Sequence, residues 1–335
     1  MSSISTNPPK VLFVFTGGTM SMKFDPEIGA AVPAYSGREI LAMVPSLDPV
    51  CSYELIDFAR LPGPHMTPET MFELSKLLNE QLKRDDIAGM VVTHGTDALE
   101  ETAYFLELTV DSYKPVAVIG AMRHSGEIGW DGALNLVSAA RVVLDPEATS
   151  RGVMVVMNDE ICTAREVTKT HTEAFDAFKS PEFGPIGLVD RDRIMWVRGK
   201  FWRKIIRTDR IETRVDMFKT YTGFDPRLIH YALDTGARGL VIESMGRGNT
   251  PPGAFSAVKR ALEMPIPVVI CSRSMRGRVL DTYGYEGGGK DARRLGAIFG
   301  GNLPGQKARI KLILALGKTD SIEEIRKIFE EGVYF

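Results

Sequence analysis

Two short apolar runs, each closed by a glycine–threonine turn, constrain this chain more than any other feature. The first is Val11-Leu12-Phe13-Val14-Phe15, followed by Thr16-Gly17-Gly18-Thr19. The second is Gly89-Met90-Val91-Val92-Thr93, followed by His94-Gly95-Thr96-Asp97. Short apolar runs that end in glycine read as buried parallel strands closed by tight turns. In open α/β sheets, chemistry gathers at the carboxyl ends of such strands. Taken singly, each threonine is equally a plain polar turn residue. Taken together, they place two hydroxyls, a carboxylate and free backbone N–H groups where one crevice is expected. A threonine hydroxyl becomes a nucleophile only when a base or a shifted pKa activates it.

Further strand-like and helix-like stretches alternate along the chain. Lys23 to Gly37 is rich in turn-formers and reads as a loop beside Thr19, a candidate lid. Arg38 to Val44 is expected as a helix and Glu54 to Phe58 as a strand. Thr67-Pro68-Glu69 opens a helix with a cap, a proline and an acid, and Met71, Leu74, Leu77, Leu78 and Leu82 follow at helical spacing. Asp97 is expected to cap a helix running through Glu100, Thr102 and Phe105 to Leu108. Pro115 to Ile119 and Gly152 to Met157 read as strands around a helix from Asn135 to Leu144. The expectation is α/β: a larger N-terminal domain with a mostly parallel sheet and helices on both faces, and a smaller C-terminal α/β domain.

The boundary is expected in a stretch of different character. Arg191 to Arg210 mixes charge with aromatics, including Trp196 and Trp202, and suggests an antiparallel ribbon and then a linker. Residues 1–205 are read as the catalytic domain, 206–214 as linker and 215–335 as the second domain. The second series from Val215 comprises a helix (Asp225 to Thr235), a strand (Gly239 to Glu243), a helix (Gly253 to Leu262) and a strand (Val268 to Cys271). An amphipathic helix from Glu323 to Glu331 closes it.

Composition removes several classes of function. A net charge of -2 over 335 residues leaves no basic footprint for nucleic acid. Three scattered cysteines, Cys51, Cys162 and Cys271, form no CxxC pair and support neither disulfides nor zinc. No apolar run reaches the roughly 18 residues of a membrane helix. Met1 to Lys10 lacks the pattern of a signal peptide, so a cytoplasmic location is expected.

Lys169, in Arg165-Glu166-Val167-Thr168-Lys169-Thr170, is the candidate base. A lysine carried into a crevice can lose its charge by desolvation and take a hydroxyl proton. An aspartate then orients or balances it, and glycine-turn N–H groups supply an oxyanion hole.

Across nearly its whole length the chain resembles the bacterial-type L-asparaginases, with their glutaminase-asparaginase relatives and an archaeal amidotransferase subunit. The resemblance rests on Thr16-Gly17-Gly18-Thr19 and on His94 to Ala103, then on Gly120-Ala121-Met122-Arg123 and Asp131 to Leu136. Arg165 to Thr170, Phe183-Gly184-Pro185, Gly246-Arg247-Gly248-Asn249 and Gly305 to Arg309 extend it. It implies hydrolysis of an amide through an acyl-enzyme on Thr19, with Thr96, Asp97 and Lys169 as partners and no metal or organic cofactor. It implies that Asp97 also binds the substrate amino group. Gly18, Gly63, Pro64, Gly95 and Asn249 fall at substrate-binding positions, Asn249 where a partner subunit contributes. It also implies a homo-oligomer, a dimer or a tetramer.

Two positions depart from that pattern. The family's lid tyrosine aligns with Ala30 or Ala31, with Tyr35 further on. Its carboxylate-binding serine aligns with Gly63, in Gly63-Pro64-His65-Met66. Arg123-His124 also replaces the common Arg-Pro. These departures leave open another small amide, lactam or lactone as substrate, or a non-catalytic amino-acid-binding protein. His94 is read as structural, and His65 and His124 as either bordering the altered pocket or solvated. Gly287-Gly288-Gly289 lacks the Lys-Ser/Thr that follows a phosphate loop and is read as a plain loop.

Overall fold

The structure is a computed structural model that describes residues 10–201 and 203–331. Trp202 and all of the polar N-terminal stretch except Lys10 lie outside the described residues. The chain divides into two units, one ending at Ile205 and the other starting at Ile206.

In the first unit the alternation of apolar runs and amphipathic stretches becomes β1 (Lys10–Gly17), β2 (Met22–Asp25), β3 (Ala30–Pro33), α1 (Gly37–Ala42), β4 (Tyr53–Leu61), α2 (Pro68–Gln81) and β5 (Ile87–Thr93). There follow α3 (Leu99–Thr109), β6 (Val116–Ile119), α4 (Gly132–Leu144), β7 (Val153–Met157), β8 (Glu160–Thr163), β9 (Thr168–Lys169), β10 (Phe178–Lys179), β11 (Gly187–Val189) and β12 (Ile194–Trp196). An eight-stranded sheet runs β12-β11-β8-β7-β6-β5-β1-β4. The five strands from β7 to β4 are parallel and the other three antiparallel. Strands β5, β6 and β7 are buried almost throughout, as strands covered on both faces are.

Strand order decides where a site forms. From β1 the chain goes first to β4 on one side, then to β5 on the other. Connections leaving β1 and β5 therefore diverge, which opens a crevice at their carboxyl ends. Thr19 follows β1 and Thr96 follows β5, so both candidate hydroxyls fall at that switch point.

Two expectations are corrected, and one antiparallel turn is added. The stretch after Thr19 is a hairpin and not a loop: β2 pairs β3 from Met22↔Pro33 to Asp25↔Ala30. Its Asp-Pro-Glu-Ile-Gly segment is the hairpin turn, in which the Asp25 carboxylate accepts the Glu27 and Ile28 N–H groups. Asp97 does not cap α3, whose N-cap is Ala98 without a side-chain bond. Strand β8 doubles back on β7 through Asn158 (φ 50°) and Asp159 (φ 60°), a two-residue turn that gives the sheet its antiparallel margin.

The second unit comprises β13 (Val215–Lys219), α5 (Arg227–Asp234), β14 (Gly239–Ser244), α6 (Pro252–Glu263), β15 (Val268–Ser272), α7 (Gly289–Arg294), β16 (Ile298–Phe299), α8 (Gly305–Lys318) and α9 (Ile322–Glu330). Its four parallel strands lie in the order β13-β14-β15-β16. Residues 206–214 carry no strand or helix. Each unit has its own apolar core. No described helix is long and apolar enough to cross a membrane.

Candidate functional site

Three glycines let the strand ends meet. Gly18 has φ 81°, and a Cβ there would lie 2.5 Å from the Gly95 Cα. A Cβ on Gly95 would lie 2.5 Å from the Gly63 Cα. The turns after β1, β4 and β5 thus touch backbone to backbone, an approach that only a residue without a side chain permits. Gly18, Gly63 and Gly95 are thereby brought together, with Pro64 on the exposed side of the short 3₁₀ turn Gly63–His65.

His94 fixes the second turn. Its ring is buried, with Nδ1 2.8 Å from the Gly95 carbonyl and Nε2 2.9 Å from the Thr102 hydroxyl. A carbonyl only accepts, so Nδ1 carries the proton and Nε2 accepts from Thr102. Burial pushes the imidazole pKa down to about 4, partly opposed by the bond to Gly95. The ring is a neutral structural strut, in keeping with the sequence reading.

The reactive side chains converge beside it. Lys169 Nζ donates to Thr96 Oγ1 at 3.0 Å and to Asp97 Oδ1 at 2.7 Å. Thr96 is buried, and the side chains of Lys169 and Asp97 are 18% and 61% exposed. Lys169 is therefore not the isolated lysine of a purely desolvated site: it is ion-paired, and Asp97, freed from capping, is its partner. The Lys169 backbone N–H donates to the Glu100 carboxylate at 3.0 Å, a link across 69 positions that no sequence spacing reveals. A Cβ on Gly120 would come within 2.8 Å of the Thr96 methyl, so that glycine also shapes the site.

Thr19 begins a short 3₁₀ turn and is half-buried. Its hydroxyl has no hydrogen-bond partner among the described residues. The backbone N–H groups of Thr19 and Thr96 likewise find no acceptor there. On the hairpin, Ala30 and Ala31 are exposed. Tyr35 packs against the core and donates its backbone N–H to Ser21, and no hydrogen bond joins it to Thr19.

His65 is exposed at the rim, whereas His124 is engaged in its own loop, accepting the Gly126 N–H at 3.1 Å. Asn249 belongs to the second unit. It closes a turn after β14 by pairing with Met245, and its side-chain oxygen is buried without a partner among the described residues. Gly287 likewise serves structure there, its carbonyl accepting the Thr250 N–H at 2.8 Å.

A hydroxyl, a lysine and a carboxylate thus gather where a parallel sheet reverses its strand order, the place at which open α/β sheets build binding and catalytic sites. The particular family follows from comparison, and the chain belongs to the asparaginases. Residues 10–201 match "Asparaginase, N-terminal" and residues 214–329 match "Glutaminase/Asparaginase C-terminal domain". A protein of Deinococcus radiodurans named "Probable L-asparaginase" is 37% identical, over 97% of this chain and 98% of its own. "Probable L-asparaginase periplasmic" of Haemophilus influenzae is 32% identical, over 96% and 93% respectively. The crystal structure titled as a probable cytoplasmic L-asparaginase from Campylobacter jejuni superposes with a TM-score of 0.85 at 31% identity, covering 96% of this chain and 99% of that one.

Proposed function

We propose that this chain is an amidohydrolase that converts L-asparagine to aspartate and ammonia through a threonine acyl-enzyme, with the first unit carrying the catalysis. The observation that carries this reading is the Thr96–Lys169–Asp97 contact at the β1/β5 switch point. Thr19 Oγ1 attacks the side-chain carboxamide carbon. With Lys169 as the neutral amine, the Thr19 proton passes through the Thr96 hydroxyl to its lone pair, and Asp97 stabilises the ammonium so formed, as a triad carboxylate steadies its protonated base. The N–H groups of Thr19 and Thr96 are placed to stabilise the oxyanion. The lysine proton leaves with ammonia, and water then cleaves the ester by the same relay. No metal or organic cofactor enters these steps. Asp97, Gly18, Gly63, Pro64 and Gly95 bind the substrate, and Asn249 is assigned to the site of a partner subunit in a homo-oligomer. The name of the Campylobacter relative supports a cytoplasmic location.

Ammonia release from L-asparagine, with mass mapping of the trapped acyl group, tests the assignment. An ester on Thr19 is expected, and one on Thr96 would reverse the roles of the two threonines.

Gly63 favours a second reading of the substrate. It stands where the resemblance places a serine that holds the α-carboxylate, and it contributes no hydroxyl. One missing hydrogen bond to a charged group is worth about 1.5–3 kcal/mol, or about tenfold to a hundredfold in rate. Asparagine is therefore expected to be a modest substrate beside a cyclic or decarboxylated amide. A serine fits at modest cost, its Cβ lying 3.3 Å from the Gly95 carbonyl. Gly63→Ser is expected to raise kcat/KM for asparagine by about tenfold. Efficient wild-type turnover at micromolar KM, unchanged in the variant, removes this reading. A chain that releases ammonia from no amide, and opens no lactam or lactone by product mass, would instead be a binding protein.

A further inference from the structure

Strand β9, which bears Lys169, is not part of the main sheet. Among the described residues it pairs only with β10, in a two-stranded ribbon where Lys169 faces Phe178. The ladder that aligns β1 and β5 therefore does not fix where Lys169 stands relative to Thr96. Something else must tie that ribbon to the Thr96 turn. Glu100 lies in the first turn of α3, four positions after Thr96, and is buried. Its carboxylate accepts the Lys169 backbone N–H at 3.0 Å. One side chain thus joins the segment that carries Thr96 and Asp97 to the backbone from which the lysine departs.

On the opposite side, the Thr96 methyl is confined by Gly120. A Cβ on Gly120 would come within 2.8 Å of that methyl, and Asn135 holds the Gly120 carbonyl at 3.0 Å. With the methyl held there, the Thr96 hydroxyl is turned to the lysine.

We propose that Glu100 is a positioning residue: its carboxylate oxygen, as the acceptor of the Lys169 backbone N–H, sets the distance between Lys169 Nζ and Thr96 Oγ1. This rests on Lys169 being the proton acceptor of the reaction. Displacing a catalytic group by about an ångström can cost about a hundredfold in rate.

The test compares Glu100→Gln, Glu100→Asp and Glu100→Ala by steady-state kinetics, pH profile and thermal midpoint. Gln keeps an acceptor oxygen at the same reach, and kcat within about threefold of wild type is expected. Asp keeps the charge but withdraws the oxygen by one methylene, and Ala removes it. In both, kcat should fall about tenfold to a hundredfold with KM nearly unchanged and the pH profile of kcat moved. The comparison of Gln with Asp stands by itself if the Ala variant fails to fold. The inference is overturned if Asp outperforms Gln, if Ala keeps full kcat, or if activity merely follows the thermal midpoint with an unmoved pH profile. Lys169→Met in the same assay separates the two claims. Near-normal turnover there would sink the reading of the site, whereas the Glu100 series fails on its own terms.

Discussion

Each unit places a threonine shortly after its first parallel strand, and the two threonines end up in opposite situations. Thr220, next after β13, is buried and donates its hydroxyl to the Glu243 carbonyl at 2.9 Å. Thr19, after β1, is half-buried with its hydroxyl unpartnered among the described residues. The neighbouring polar groups follow suit. At the strand ends of the second unit, Glu243 accepts the Gly305 N–H at the start of α8, Ser244 pairs with Thr250, and Ser272 donates to the Gly246 carbonyl. In the first unit, Thr96, Asp97 and Lys169 share one another while two of the three remain partly open to solvent. Topology accounts for the contrast. The strands β13 to β16 follow chain order, so no pair of connections diverges, whereas the order reverses at β1 and β5. Parallel strands give an end where Thr220, Glu243, Ser244 and Ser272 are hydrogen-bonded in one case and an open candidate crevice in the other.

The largest effect should separate those two threonines. Thr19→Ala, Thr96→Ala or Lys169→Met should each lower kcat by about a thousandfold or more, with little change in unfolding free energy for the threonine variants. Thr220→Ala should do the reverse, leaving turnover within about twofold and costing about 1 kcal/mol of stability. Steady-state assay and urea titration of the four variants decide the matter. A Thr19 variant with full activity, or a Thr220 variant without any, erases the distinction.

A smaller effect should come from parting the turns that make the crevice. Gly18→Ala forces an L-residue into φ 81° and drives a methyl to 2.5 Å from the Gly95 Cα. With ψ -173° this backbone region is open essentially to glycine alone, and occupying it costs about 1–3 kcal/mol. The displaced Thr19 should lose about a hundredfold in kcat. Stability unchanged by urea titration, together with normal kcat, would show that the close approach does not matter.

The smallest effect concerns acid. His94 titrates near pH 6.5 when unfolded, and burial pushes it down to about 4 in the fold. The folded value lies below the unfolded one, so the contribution to stability is complete above about pH 6.5. It is lost as pH falls towards 4, because the unfolded chain takes up the proton first, and the span amounts to about 3 kcal/mol. His94→Gln should flatten the stability profile between pH 7 and 4 by about that amount. Identical slopes in wild type and variant would show that the ring does not report its burial.

The parallel strands β1, β5, β6 and β7 were legible because unbroken apolar runs have few other places to go than a covered sheet. The helix at Thr67 was legible from its cap and proline, and the structure begins it at Pro68. Hairpins were harder. In Asp25 to Ala30 and at Asn158-Asp159 the turn residues were visible, but the flanking runs are only four or five residues long and pair with each other locally. Asp97 was misassigned as a cap because an acid before a helix has two outlets, backbone N–H groups or a cation, and the cation lies 72 positions away.

By itself, the sequence determined the long apolar parallel strands β1, β5, β6 and β7, and it marked Thr19, Thr96, Asp97 and Lys169 through motifs shared with the asparaginases. Tertiary structure decided which of them meet. The contacts of Lys169 with Thr96, Asp97 and Glu100 span 73, 72 and 69 positions, and arise from a two-stranded ribbon outside the main sheet. Local sequence governs local dihedrals and hydrophobic burial. Distances between such segments depend on strand order and on where a glycine lets two backbones touch, and those are properties of the folded chain.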